Sequence, residues 1–253
     1  MSKKNKVLVT DLDGTLVKDS KVVTQKDKEA LKQLNETYIL GIATGRSLKE
    51  ILYIEEMLGF HVPLKIAFNG ACVTYKDNII YESPIDPKTL KEVLAFIEKQ
   101  KIVFDALDGE DRIGTHKEAN SSKLWNMKLI EPNHLFDYIN GRMIYKINIR
   151  PEDHRADELL EDLRATFPDL SICKSGPRRI EVTAQNVSKG FAIAMIRDKL
   201  PLEVIAVGDS ENDISMFEEA DVAISMSEAD DSVKEEADVI INDFYEASRR
   251  LGD

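Results

Sequence analysis

An α/β protein, built on a parallel sheet wrapped by helices and carrying an inserted α+β unit, is what this sequence predicts. Three observations predict it. Short β-rich apolar runs alternate with amphipathic helical segments over residues 6–69. The same alternation returns over 188–241. Between them, roughly over 84–184, strand-like runs follow one another directly, as in antiparallel pairs.

In order, "KVLVT" reads as a buried strand, and "TQKDKEALKQLNE" (24–36) as a helix with Thr24 as its N-cap. "YILGIAT" (38–44) is a second strand, "SLKEILYIEEMLG" (47–59) a helix with a glycine stop, and "LKIAFN" (64–69) a third strand. In the middle region, "KIVFDAL" with "DRIGTH" and "LSICKS" with "RRIEVT" read as pairs. The helices "DPKTLKEVLAFIEKQ" and "DHRADELLEDLRATF" lie among them. Then come a helix "SKGFAIAMIRDKL" (188–200), a strand "EVIAV" (203–207), a helix "SENDISMFEEA" (210–220) and strands "DVAIS" (221–225) and "ADVII" (237–241). This order predicts a core made of 1–83 and 185–253 and an insert of 84–184, with "ESPIDP" and "TAQNVS" as the crossings.

The chain has 253 residues, enough for one large domain or two modest ones. Its 34 Lys and Arg against 46 Asp and Glu give a formal net charge of -12, without a basic stripe. That argues against nucleic acid and anionic membranes as partners and leaves small anionic substrates open. Cys72 and Cys173 make no Cys-x-x-Cys pair, so reduced thiols in a cytoplasm are the expectation. No apolar run suits a signal peptide or a membrane span.

In open α/β sheets ligands collect at the carboxyl ends of strands. Four polar stretches sit at strand ends or open a helix: "DLDGT", "ATGRS", "SKG" and "GDSEND". Each has an ordinary reading. Asp-Gly makes turns, Ser210 with Asp213 fits a capping box, and "ATGRS" fits a strand-to-helix loop. Lys189 fits less well, because a cation in a first helical turn opposes the helix dipole and calls for an anion. Together the four fit one purpose. Asp11, Asp13 and Asp209 can give oxygen ligands to a hard cation such as Mg²⁺, with Asn212 and Asp213 holding the metal or its waters. Thr44, the amides of Gly45 and Arg46, and Lys189 can grip phosphate oxygens. Asp11 is then a nucleophile, and Asp13 gives a proton to a leaving alkoxide and later takes one from water.

"DLDGT", "ATGR", "SKG" and "GDSENDISM", in that order, resemble the four motifs of the haloacid dehalogenase-like phosphatases. The insert after the third strand resembles the type 2B cap, and "FNGA" (68–71) the loop before it, which points to the Cof-type, subfamily IIB, sugar-phosphatase-like group. The resemblance spans nearly the whole chain. It implies a Rossmann-like core under an α+β cap and a Mg²⁺-dependent hydrolase of small phosphorylated metabolites. Asp11 matches the nucleophile that forms an aspartyl-phosphate, and Asp13 the acid/base whose carbonyl also ligates the metal. Thr44 and Lys189 match the phosphate grips. Asp209 matches the remaining metal ligand, supported by Asn212 and Asp213, while Asn69, Gly70 and Arg46 border the site. The acid at 13 favours phosphoryl transfer over dehalogenation, since an alkoxide needs a proton and a halide does not. "SMSEAD" (225–230) stands where Cof-like chains often carry Gly-Asn-Ala, near the site.

A phosphomutase of the same fold and a non-catalytic metabolite-binding protein are the alternatives. A monomer or a homodimer is compatible with the sequence. Among remaining residues, His61, His116, His134 and His154 show no metal-ligand spacing, with His116 the one that could face substrate. Trp125 reads as cap packing, the arginines of "GPRR" (176–179) as a solvated turn before a substrate clamp, and the acids of 227–238 as a solvated helix face.

Overall fold

The computed structural model describes residues 5–18, 22–118, 120–152, 155–176, 178–199 and 203–251, so the expectation for His154 lies outside it. The chain runs β1 (Lys6–Thr10), α1 (Gln25–Thr37), β2 (Ile39–Ala43), α2 (Leu48–Leu58) and β3 (Leu64–Ala67). A hairpin follows, β4 (Cys72–Tyr75) and β5 (Asn78–Glu82). The middle segment holds α3 (Pro87–Gln100), β6 (Val103–Leu107), β7 (Asp111–Gly114), β8 (Lys128–Ile130), α4 (Leu135–Asn140), β9 (Lys146–Arg150), α5 (Ala156–Thr166), β10 (Leu170–Lys174) and β11 (Ile180–Ala184). The chain returns through α6 (Lys189–Lys199), β12 (Glu203–Gly208), α7 (Glu211–Glu218), β13 (Val222–Met226), α8 (Asp231–Lys234), β14 (Val239–Ile241) and α9 (Glu246–Leu251).

The strands form two sheets. The larger has the order β14-β13-β12-β1-β2-β3-β4-β5. Its first six strands are parallel, and the β4–β5 hairpin adds an antiparallel edge that the sequence reading did not resolve. Lys76 and Asp77 make that turn with positive φ, the geometry a tight hairpin needs. The smaller sheet has the order β10-β11-β9-β6-β7-β8. The two expected pairs, β6 with β7 and β10 with β11, are antiparallel. They are joined through β9, which the sequence reading missed, along with β8 and α4.

Helix ends follow their sequence signals. Thr24 caps α1 by accepting from the Asp27 amide, and Ser47 with Glu50 closes a capping box on α2, which ends on left-handed Gly59. The core of the larger sheet gathers Leu8, Leu40, Ile42, Ile51 and Ile205 on one face and Val7, Val9, Ile66, Ile193 and Val204 on the other. Residues facing opposite ways along β1 thus meet helices on both sides, as a doubly wound sheet requires.

The smaller sheet is two-faced in another way. Phe104, Ala106, Ile147, Ile149, Ile180 and Val182 pack beneath α3 and α5. Their alternates Asp105, Lys146, Asn148, Glu181 and Thr183 are polar, yet also buried. A buried polar face must meet polar partners.

Candidate active site

The parallel register builds the floor of the site. Thr10 of β1 pairs with Val207 of β12, and both strands end within a residue, so Asp11 and Asp209 emerge side by side. The chain winds outward to β2 and β3 on one flank and to β13 and β14 on the other, which makes the gap between β1 and β12 a topological switch point. Thr44 leaves the end of β2, and Lys189 opens α6.

Lys189 Nζ donates to Asp11 Oδ1 and to Asp213 Oδ1, both at 2.6 Å, and is fully buried. Asp213 Oδ2 accepts from the amides of Asp209 and Ser210, at 3.0 Å each, so Asp213 both caps α7, as its spacing predicted, and anchors Lys189. Asp209 accepts from Thr15 Oγ1 at 2.5 Å and from Ser210 Oγ at 3.0 Å. Gly14 makes room for it: a Cβ at position 14 would stand 2.3 Å from Asp209 Oδ2, and its φ of +95° suits glycine.

Three acids around one lysine leave a charge deficit. One oxygen from each of Asp11, Asp209 and Asp213 lies within 4.8 Å of the others. Burial pushes the Asp11 carboxyl well above the usual carboxylate range; Lys189 pulls the other way, and the charges of Asp213 and Asp209 add to the rise. Burial and Asp213 bring Asp209 to about 6. Burial also works against the Lys189 charge, but Asp11 and Asp213 outweigh it and hold the ammonium above the ordinary lysine range.

Arg46 spans the site. Its Nε and Nη2 grip Asp13 at 2.6 and 2.8 Å in a bidentate pair, and Nη1 donates to Glu50 at 2.9 Å and to the Lys123 carbonyl at 3.0 Å. The Trp125 ring lies 3.3 Å from Arg46 Cζ, so Trp125 is packing that joins the two sheets' segments. Glu50 also accepts from Arg112 at 2.7 Å. Burial opposes its charge, yet Arg112 and Arg46 hold its carboxyl below the usual range.

A second bridge stands on the other flank. Asn69 Nδ2 donates to Glu181 Oε2 at 2.5 Å, and Asn212 Nδ2 donates to Asn69 Oδ1 at 3.2 Å. Phe68, Asn69 and Gly70 all have positive φ, a strained turn that aims the Asn69 amide at the smaller sheet. A Cβ on Gly70 would stand 2.4 Å from the Ser188 carbonyl, so this glycine lets the turn rest against the start of α6.

Between floor and roof lies a cavity of about 220 Å³. Of the predicted site residues, Asp11, Asp13, Thr44, Gly45, Arg46 and Asn212 line it directly. Lys189, Asp213 and Asp209 sit behind or beside that surface, with Asp209 facing a neighbouring acidic groove that also takes Glu228 and Asp230 of the "SMSEAD" loop. His116 lines the cavity, and so does Arg179 of the "GPRR" turn. Sequence reasoning missed Arg112, Lys146, Asn148, Arg150 and Glu181. The signal was present in "KINIR", where Lys146, Asn148 and Arg150 alternate with isoleucines and so share one face of β9.

Acids gathered at a strand switch point, a lysine locked between two of them and a polar roof make an enzyme-like site at the carboxyl ends of a doubly wound α/β sheet. A profile of the haloacid dehalogenase-like hydrolases matches residues 8–248, and the chain belongs to that family. It is 28% identical over 226 residues to the 5-amino-6-(5-phospho-D-ribitylamino)uracil phosphatase of Bacillus subtilis (strain 168), covering 87% of this chain and 83% of that one. A solved structure from Thermotoga maritima superposes with a TM-score of 0.80 at 28% identity, covering 97% of each chain. A sugar phosphatase of haloacid dehalogenase subclass IIB shares the fold, with a TM-score of 0.81 at 22% identity over 98% of this chain and 99% of that one. Among the described residues, no helix is long and apolar enough to cross a membrane.

Proposed function

We propose that this phosphatase hydrolyses phosphate monoesters of small metabolites through a phosphorylated Asp11, with Mg²⁺ bound. The observation that carries this reading is Lys189 held at 2.6 Å from Asp11 Oδ1 beside Asp209, under a closed polar roof.

The donor set fits a hard dication. Asp11 is buried and Asp209 half-buried, the surroundings disfavour the charge of both, and Asn212 Oδ1 is a buried acceptor without a partner. Asp11, Asp209 and the Asp13 carbonyl would hold Mg²⁺, with Asn212 beside them. Both oxygens of Asp213 already accept hydrogen bonds, which suits a supporting role. Mg²⁺ held there would supply positive charge against the phosphate oxygens.

The chain's own residues supply the remaining steps. Lys189 engages Asp11 Oδ1, and Oδ2 has no hydrogen bond among the described residues; we assign Oδ2 as the nucleophile. It attacks phosphorus, the bond to the leaving oxygen breaks, and Asp13 transfers a proton to that oxygen. Water then attacks the phosphorus, Asp13 takes its proton, and the Asp11 carboxylate is released with inorganic phosphate. Thr44, the Gly45 and Arg46 amides and Lys189 steady the phosphoryl oxygens. The bidentate grip of Arg46 occupies both carboxylate oxygens of Asp13. Proton delivery therefore requires the pair to part, and an arriving phosphate offers the guanidinium another acceptor.

We take residues 84–184 as the cap and 1–83 with 185–253 as the core, since the strands of each segment keep to their own sheet. The cap closes on the core, excludes water and reads the leaving group. The unpaired thiols of Cys72 and Cys173 suit a cytoplasmic setting. The test is phosphate release from a panel of phosphorylated metabolites with and without Mg²⁺, for wild type and Asp11→Asn. Metal-dependent release that Asp11→Asn abolishes is expected. Release that survives in Asp11→Asn overturns the nucleophile, and isomerised ester without release identifies a mutase.

A further inference from the structure

One corner of the cavity wall holds more positive charge than its acids match. Elsewhere cations and acids balance: Arg46 faces Asp13, and Arg112 and Arg150 share Glu50 and Asp105. At Glu181 a single oxygen, Oε1, takes both Lys146 Nζ at 3.0 Å and Arg179 Nε at 3.3 Å. Its other oxygen takes the Asn69 amide. Lys146 is 3% exposed, and Glu181 is the one acceptor that its three N–H donors meet among the described residues. Burial works against the Lys146 charge, and an anion arriving beside it would stabilise that charge.

Two further atoms of the same wall are buried and without partners, Asn148 Oδ1 and Arg112 Nε. The Asn148 orientation is fixed, because its Nδ2 donates to Asp105 Oδ2 at 2.6 Å. Oδ1 is therefore an acceptor that needs a donor such as a hydroxyl. A buried polar atom left without a partner destabilises the fold, so this wall is built for a ligand that satisfies them. The phosphoryl group to be transferred belongs at Asp11 on the floor. The roof must then read the rest of the molecule.

We propose that the alcohol part of the substrate is hydroxylated and carries a second anionic group, a carboxylate or a phosphate, received by Lys146 and Arg179 while Asn148 Oδ1 accepts from a hydroxyl. This rests on the phosphatase reading above. The cavity of about 220 Å³ is smaller than the roughly 300–1,000 Å³ of typical ligand pockets, which restricts the choice to small metabolites.

The test compares three six-carbon esters: glucose 6-phosphate, with a neutral leaving group, 6-phosphogluconate, with a carboxylate, and fructose 1,6-bisphosphate, with a second phosphate. Turnover is measured on wild type, and binding of the same compounds to Asp11→Asn by calorimetry. At least one anionic probe is expected to exceed glucose 6-phosphate by about tenfold or more, the size of a charge-assisted hydrogen bond, and which one does so names the anion. Arg179→Gln, and separately Lys146→Met, should shrink that ratio to about threefold or less. Arg179 lies at a partly exposed hairpin, so its variant keeps the test informative if Lys146→Met folds poorly. Hydrolysis without anionic preference overturns this inference and leaves the phosphatase reading intact. Anionic preference in binding without turnover supports the inference and overturns the phosphatase reading. Ratios unchanged in both variants also overturn the inference.

Discussion

Gly45→Ala tests whether cap and core must meet for catalysis. A Cβ at Gly45 would stand 2.8 Å from Lys146 Nζ, 2.9 Å from Glu181 Oε2 and 3.1 Å from Asn69 Oδ1. Ordinary contacts begin near 3.4 Å, so three groups must each yield a few tenths of an ångström. They are side-chain ends, but they hold one another: Lys146 and Asn69 both bond Glu181. Overpacking of this kind costs about 1–3 kcal/mol. Most of the cost falls on the apposed state, because a cap that lifts away takes Lys146 and Glu181 from the methyl and leaves only the looser contact with Asn69. With about 1.4 kcal/mol per factor of ten, kcat/KM should fall by about 5- to 150-fold. The assay is steady-state phosphate release, paired with urea unfolding to show that global stability has not fallen by the same amount. A kcat/KM within about twofold of wild type would refute the requirement for this close approach.

Arg46→Lys removes the bidentate grip on Asp13 and the planar stack on Trp125 while keeping the charge, and should lower kcat/KM by about tenfold to a hundredfold in the same assay. Mg²⁺ at a hundred times its dissociation constant should stabilise the protein by about 2.7 kcal/mol, read as a higher Tm, and Asp209→Asn should abolish most of that rise; an equal rise in the variant removes Asp209 from the metal site. Glu50, Asp105 and Glu181 all have carboxyls held below their ordinary values against burial, by Arg112 with Arg46, by Arg150 with Arg112, and by Lys146 with Arg179 respectively. Such depressed groups stabilise fully above the ordinary carboxylate range and lose that contribution as pH falls below about 4. Glu50→Gln should cost about 3 kcal/mol at pH 7 and flatten the acid limb of a Tm-against-pH curve, whereas an unchanged slope there would show that Glu50 is not among the groups that titrate.

The floor of the site was legible because its residues sit at strand ends, where the chain must turn polar. Asp11, Thr44 and Asp209 follow apolar runs, and Lys189 betrays itself as a cation at a helix start. Ser210 with Asp213 was legible as a capping box, though the grip of Asp213 on Lys189 was not, since that contact spans 24 residues. The roof was hidden for a different reason. "KINIR" alternates like any half-exposed strand, and periodicity does not say that its polar face is covered. The β4–β5 hairpin escaped because "YKDN" lacks a glycine, the commonest mark of its turn. The arginines of "GPRR" split, with Arg179 turned to Glu181 by pairing that only the folded hairpin creates.

The pleat of β9 divides two inheritances along one strand. Positions 147 and 149 decide whether the smaller sheet holds its helices, and positions 146, 148 and 150 decide what the cavity greets. Substitutions can accumulate on the second set while the first is left untouched, so a lineage can explore new substrates without renegotiating its fold. The same economy carries a hazard. Inserting or deleting a single residue within the strand would exchange the two sets, burying charges against α3 and α5 and turning isoleucines into the cavity. Diversity in such a protein should therefore arrive by point change along the strand, and length change should be confined to its turns.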